Sequence, residues 1–133
     1  MTRLLEAHHL VKSFGGLVAV NDLDLSLDRG EILGLIGPNG SGKTTLFNLI
    51  AGVFKPDSGD IWFEGKKITG ASSADICQMG MGRTFQTPRP FPRLTVLENV
   101  KLGRAYGSGP ARTLAHAEAE AQELLEFVGL SAK

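Results

Sequence analysis

The sequence predicts an α/β fold, and three observations carry that prediction. A short apolar run, Ile32 to Ile36, feeds a glycine-rich turn, Gly37 to Thr45, which opens into LFNLIAG, Leu46 to Gly52, at helical spacing. Upstream, Val20 to Asp28 alternates strictly, with Leu23, Leu25 and Leu27 on one face and Asp22, Asp24, Ser26 and Asp28 on the other. Toward the C-terminus, Ala111 to Val128 returns to the helical period.

Each element has a physical reason. The alternating segment reads as a half-buried strand, expected to pair antiparallel, because only one of its faces is apolar. Ile32 to Ile36 lacks the alternation and is expected as a central strand covered on both faces, which gives a mixed sheet. Lys55-Pro56-Asp57-Ser58-Gly59 is turn chemistry, followed by a strand over Asp60 to Glu64 and a second turn at Gly65-Lys66. Thr95 and Glu98 stand at capping-box spacing, which predicts a helix through Asn99 and Val100. A loop at Tyr106 to Gly109 precedes Pro110, expected as the first residue of the last helix. In that helix Leu114, Ala117, Ala121, Leu124, Leu125 and Val128 share a face and Gly129 ends it. Glu118, Glu120, Glu123 and Glu126 read as a solvated face and not as a carboxylate site.

Bulk properties narrow the function. The chain has 133 residues, the length of one domain, and 42% of them are apolar. Lys plus Arg and Asp plus Glu are both 14, so no charge excess favours nucleic acid or an anionic membrane surface. A lone Cys77 makes no internal disulfide, and the first ten residues lack a secretory apolar stretch, so a reduced, cytoplasmic setting is expected. No window approaches the roughly 18 to 20 apolar residues of a membrane span, so membrane association is expected to go through a partner.

The glycine-rich turn carries the chemistry. Gly37, Pro38, Asn39, Gly40, Ser41, Gly42, Lys43, Thr44 and Thr45 form GPNGSGKTT between a strand and a helix, the order of a phosphate-binding loop. Gly37, Gly40 and Gly42 allow unusual dihedrals and bring successive N–H groups within reach of phosphate oxygens. A helix beginning near Gly42 adds its unsatisfied N–H groups and the positive end of its dipole. Lys43 supplies a mobile charge for the β- and γ-phosphates, and Thr44 a hydroxyl for Mg²⁺.

Nearly the whole chain then resembles a known family. KSFGGLVAVNDLDLSL, GEILGLIGPNGSGKTTLFNLIAGVFKPDSGDIWFEG and MGMGRTFQTPRPFPRLTVLENV, in that order, resemble the nucleotide-binding subunit of ATP-binding cassette (ABC) transporters. The resemblance implies a P-loop NTPase fold of the ABC type, with an antiparallel β subdomain and the start of a helical subdomain. It divides the chain into a nucleotide-binding core over 1–86 and a Q-loop and helical part over 87–133.

The resemblance also implies roles. Phe14 matches the aromatic residue that stacks on adenine, which would gain about 0.5 to 1.5 kcal/mol beyond burial. Gln86 matches the Q-loop glutamine, whose side-chain carbonyl contacts Mg²⁺ and the attacking water, an amide adding no charge beside the phosphates. Lys43 and Gln86 are the residues assigned to catalysis, and Thr44 and Gln86 those assigned to Mg²⁺. The proline-rich stretch after Gln86 would face a membrane-spanning permease subunit, with Phe91 and Leu94 as apolar contacts. A second ABC ATPase subunit, in a homo- or heterodimer, and indirectly a solute-binding protein would complete the assembly on the cytoplasmic face of the membrane.

Within the family, GRTFQTPRPFPRLTVLENV looks most like ATPases of branched-chain amino acid importers and their relatives for urea or amides. The family's LSGGQ-type signature, its apolar strand ending in Asp-Glu and its switch histidine have no match in these residues. The expectation is therefore the N-terminal half of a cassette that binds ATP; a nucleotide-binding module without turnover remains the alternative. His8 and His9, neighbours on a strand, would point to opposite faces and cannot share a metal, and His116 lies in the last helix.

Overall fold

The structure, a computed structural model, describes residues 2–131. The chain folds as two compact units, residues 1–76 and 77–133.

The first unit is a sheet with a helix. Strands β1 (Arg3–Phe14) and β2 (Leu17–Asp28) form a long hairpin through a tight turn at Gly15-Gly16, where Gly15 takes φ 59°. β3 (Ser58–Phe63) pairs with the other edge of β1, and the short β4 (Lys66–Lys67) closes the order β2-β1-β3-β4. Every pairing is antiparallel. Leu5, Ala7, Leu10, Ile61 and Phe63 turn one face of this sheet inward, where Val20, Ile68 and Ile76 are also buried. Helix α1 (Lys43–Ile50) adds Leu46 and Leu49, each 2% exposed. It ends in a Schellman turn, the Gly52 N–H donating to Leu49 and the Val53 N–H to Asn48, with Gly52 at φ 77°. The short α2 (Ser73–Gln78) follows.

Two strand expectations are corrected here. Glu31 to Ile36 is not a strand, and the described sheet is antiparallel and not mixed. Ile32 and Ile36 are 98% and 97% exposed. A strand exists only through its ladder, and the four described strands pair among themselves without reaching this run. The second correction concerns the histidines. His9 adopts φ 51° in a bulge of β1, where the register breaks against both neighbouring strands. The extra residue cancels the alternation, so His8 and His9 are both exposed and Leu10 returns to the core. Gly59 faces this bulge: a Cβ there would sit 2.4 Å from the His9 carbonyl oxygen and 2.6 Å from that of His8.

The second unit is a helix pair. In α3 (Val96–Tyr106), Thr95 Oγ1 accepts from the Glu98 N–H and Glu98 accepts from the Thr95 N–H, the expected capping box. Helix α4 (Leu114–Phe127) begins at the Thr113 cap and not at Pro110, which lies in the preceding loop. Thr113 Oγ1 accepts the His116 N–H, a cap that proline, with no side-chain acceptor, cannot provide. Its buried stripe is narrower than expected: Ala117, Ala121 and Leu125 are buried, whereas Leu114, Leu124 and Val128 are more than half exposed. Two of the glutamates do more than meet solvent. Glu118 pairs with Lys101 at 3.1 Å and Glu120 with Arg104, linking α4 to α3. Gly129, at φ 77°, ends α4 in a second Schellman turn, with Leu130 N–H bonded to Leu125 O.

Candidate functional site

The site is built where α1 begins. Gly42 is the N-cap of α1 in the left-handed region, φ 94°, and no side chain caps the helix. A Cβ on Gly42 would stand 2.2 Å from the backbone oxygen of Ala19 in β2, so only glycine lets the loop lie this close to the sheet. Gly40 also has positive φ, 83°, but Gly37 does not. At Gly37 the constraint is space: a Cβ there would meet Ser41 Oγ at 2.7 Å. The three glycines thus serve three separate needs.

Lys43 folds back over the loop. Its ammonium donates to the carbonyl oxygens of Gly37 and Pro38, the latter at 2.8 Å, and to Ser41 Oγ at 3.3 Å. The charge is held over the loop it is expected to serve. Thr44 is exposed in the first turn of α1 and Thr45 half-buried beside it. Pro38 and Asn39 are exposed on the loop. A cleft of about 330 Å³ lies alongside, lined by Val18 to Asn21 of β2, by Leu35 and Ile36, and by Ser41 to Lys43.

Phe14 closes β1 and is 43% exposed. The ring of Phe54 meets it edge-on at 5.2 Å and 69°, and Lys12 Nζ lies over it, 5.4 Å from the centroid. Gln86 is exposed and belongs to the second unit. Beside it, the Arg83 and Arg89 guanidinium groups lie 4.6 and 5.9 Å from the Phe85 ring centre, within cation–π reach.

Two polar anchors escaped the sequence reading. Asn99 in α3 ties down the proline-rich loop: its Oδ1 accepts from Phe91 N–H at 2.8 Å. Its Nδ2 donates to the carbonyls of Phe91, Leu94 and Thr95 at 3.2, 3.3 and 2.9 Å. Asp57 accepts the Ser13 N–H at 2.6 Å. An Asp in a turn and an Asn in a helix have ordinary local explanations, so nothing in the pattern marked the bond of Asp57 to Ser13 or of Asn99 to the loop at Phe91. Among the described residues no group of three or more His, Cys, Asp or Glu could hold a metal. None of the described helices is long and apolar enough to cross a membrane.

A glycine-shaped loop opening an uncapped helix against an antiparallel sheet defines a phosphate-loop protein of the cassette type. The ABC transporter family model matches residues 20–133, and the chain belongs to that family. It is 38% identical over 138 residues to the probable branched-chain amino acid transport ATP-binding protein LivG of Methanocaldococcus jannaschii, covering 96% of this chain and 54% of that protein. With the high-affinity LivG protein of Salmonella typhimurium it shares 40% over 139 residues, at the same coverages of 96% and 54%. Its structure superimposes on a nucleotide-free ATP-binding cassette from an ABC transporter with TM-score 0.78 and 37% identity, covering 97% of this chain and 55% of that one. For the ADP conformation of an ATP-binding cassette the TM-score is 0.82 at 36% identity, with coverages of 98% and 56%. The chain spans about half the length of these relatives.

Proposed function

We propose that the protein carrying this chain is the ATP-binding and ATP-hydrolysing subunit of an ABC importer for branched-chain amino acids. The observation that carries the reading is the start of α1. There, Gly42 leaves the first N–H groups without a side-chain cap and Lys43 lies over the loop, a site suited to the phosphates of ATP. The names of the relatives support the transported class, because a phosphate loop by itself does not specify the solute.

The donor set fits Mg²⁺, a hard ion that takes few protein oxygens and completes its shell with water and substrate phosphates. When bound, the ion neutralises charge on the β- and γ-phosphates. Thr44 would offer it a hydroxyl and Gln86 a side-chain carbonyl, Gln86 also orienting water. Lys43 follows the γ-phosphate, Gly37 to Thr45 enclose the chain of phosphates, and Phe14 stacks on the adenine. Catalysis at such a site is mainly positioning and charge stabilisation. A permease subunit would dock near Phe91 and Leu94, with a second ATPase subunit opposite, on the cytoplasmic face of the membrane.

Lys43→Ala tests the site. Mg-ATP affinity should fall while the melting curve stays in place, since a half-exposed loop charge contributes little to stability. Unchanged affinity in calorimetry would refute the assignment. A nucleotide-binding module without turnover is the second reading, which rests on the phosphate loop at the start of α1 alone. Phosphate release from the chain, alone and with a full-length copy, separates the two.

A further inference from the structure

The end of β1 is held by a side chain from a turn. β3 begins at Ser58, opposite Val11, so Lys12, Ser13 and Phe14 run past its end. Asp57, one residue before β3, continues the ladder in its place. Its N–H donates to the Val11 carbonyl at 2.8 Å, and its Oδ2 accepts the Ser13 N–H at 2.6 Å. Its Oδ1 accepts from Lys12 Nζ at 3.3 Å. The same ammonium lies over the Phe14 ring, and Phe54, three residues before Asp57, presents its own ring to the edge contact.

We propose that Asp57 is a positioning residue for nucleotide binding, fixing Phe14 as the platform for adenine through Ser13 and Lys12. The inference rests on the stacking reading of Phe14. Two neighbours of the ring, the Ser13 N–H and the Lys12 ammonium, converge on one carboxylate. The bond to the Ser13 N–H fixes the strand one residue before Phe14. The charge on Asp57 holds Lys12, whose side chain is only 17% exposed, against one side of the ring. A flat base is thereby directed to the other side, and Phe14 keeps 43% of its surface for it. Asp57 lies on the same connection that leaves α1, four residues past its terminal turn, so the ring is linked along the chain to the helix whose first residue is Lys43. Adenine and phosphates would be read by two ends of one continuous segment. The Ser13 N–H, and after it Lys12, hold the Asp57 carboxyl below the usual carboxylate range, so the tether is charged at neutral pH.

The experiment compares Mg-ATP with magnesium tripolyphosphate, which lacks the base, by calorimetry on the full chain. Asp57→Ala should weaken ATP about two- to tenfold, the value of one aromatic stack, and leave tripolyphosphate unchanged. Asp57→Asn, which still accepts from Ser13, should recover part of the loss. Equal loss for both ligands would mean a structural role only and overturn the proposal. Unchanged ATP affinity in Asp57→Ala, with a loss in Phe14→Ala, would overturn the positioning role and leave stacking intact. If Phe14→Ala itself affects both ligands alike, the stacking reading falls and the inference with it. Should Asp57→Ala fail to fold, Lys12→Met serves: it must lower ATP affinity selectively, and a variant that binds both ligands as before overturns the proposal.

Discussion

Gly42 answers to a neighbour far outside its own turn, Ala19 in β2. The Ala19 carbonyl of β2 occupies the space of its missing side chain, and φ 94° adds backbone strain for any other residue. Gly42→Ala should therefore destabilise the first unit by about 1–3 kcal/mol from the backbone alone, more if β2 must shift, as read by chemical denaturation. An effect under about 0.5 kcal/mol would mean the loop does not sit against β2. His9 offers a second single-residue test. Its Nδ1 lies 2.8 Å from Asp22 Oδ1, and its N–H donates to Asp24 Oδ1 at 2.6 Å. The bond to Asp22, then the charges of Asp24 and Asp22, raise the imidazole above its ordinary value. A raised folded value means the pair stabilises fully below the ordinary histidine pKa and loses that contribution as pH rises through the folded one. Asp22→Asn should shift the His9 titration, followed by NMR, downward; no movement would disprove the pairing.

Helices α3 and α4 start on side-chain caps and are joined by ion pairs, yet α3 buries no residue fully. Such a helix depends on its ends. Thr95→Ala removes the acceptor for Glu98 N–H and should cost about 1 kcal/mol, seen as faster hydrogen exchange through the first turn of α3. The loss should be local, leaving exchange in the first unit as it was. Exchange unchanged in α3 would show that packing on α4 and the Asn99 bonds, and not the cap, hold it. Asp57 belongs to this scale as well. Its tether stabilises at neutral pH and fades as pH falls through a folded value below the ordinary carboxylate range.

Across the molecule, apolar surface is unevenly covered. The sheet and α1 bury Ala7, Leu10, Leu46, Leu49 and Ile61 almost completely, while Ile32 and Ile36 meet solvent. Because burial and not composition sets the stabilisation, Ile32→Ser with Ile36→Ser should shift stability within about 0.5 kcal/mol. It should also lower any concentration-dependent light scattering, since exposed apolar side chains favour association. A large loss of stability would show the run buried in this chain after all.

What was legible in the sequence was local. The alternation of β2, the Thr95–Glu98 box, the Gly129 stop and the GPNGSGKTT loop each record a rule acting over a few residues. The structure repeats them because backbone hydrogen bonding and side-chain period enforce them directly. The family followed from the order of such pieces. What only the tertiary structure decided is non-local. The bulge at His9 with Gly59 opposite, the Asp57 bond to Ser13 and the Ala19 carbonyl against Gly42 all join residues remote in sequence. The run from Ile32 to Ile36 gives the reason most clearly. Apolar residues state that a segment prefers burial, but whether it becomes a strand depends on which other strands lie beside it, and that information is not in the segment.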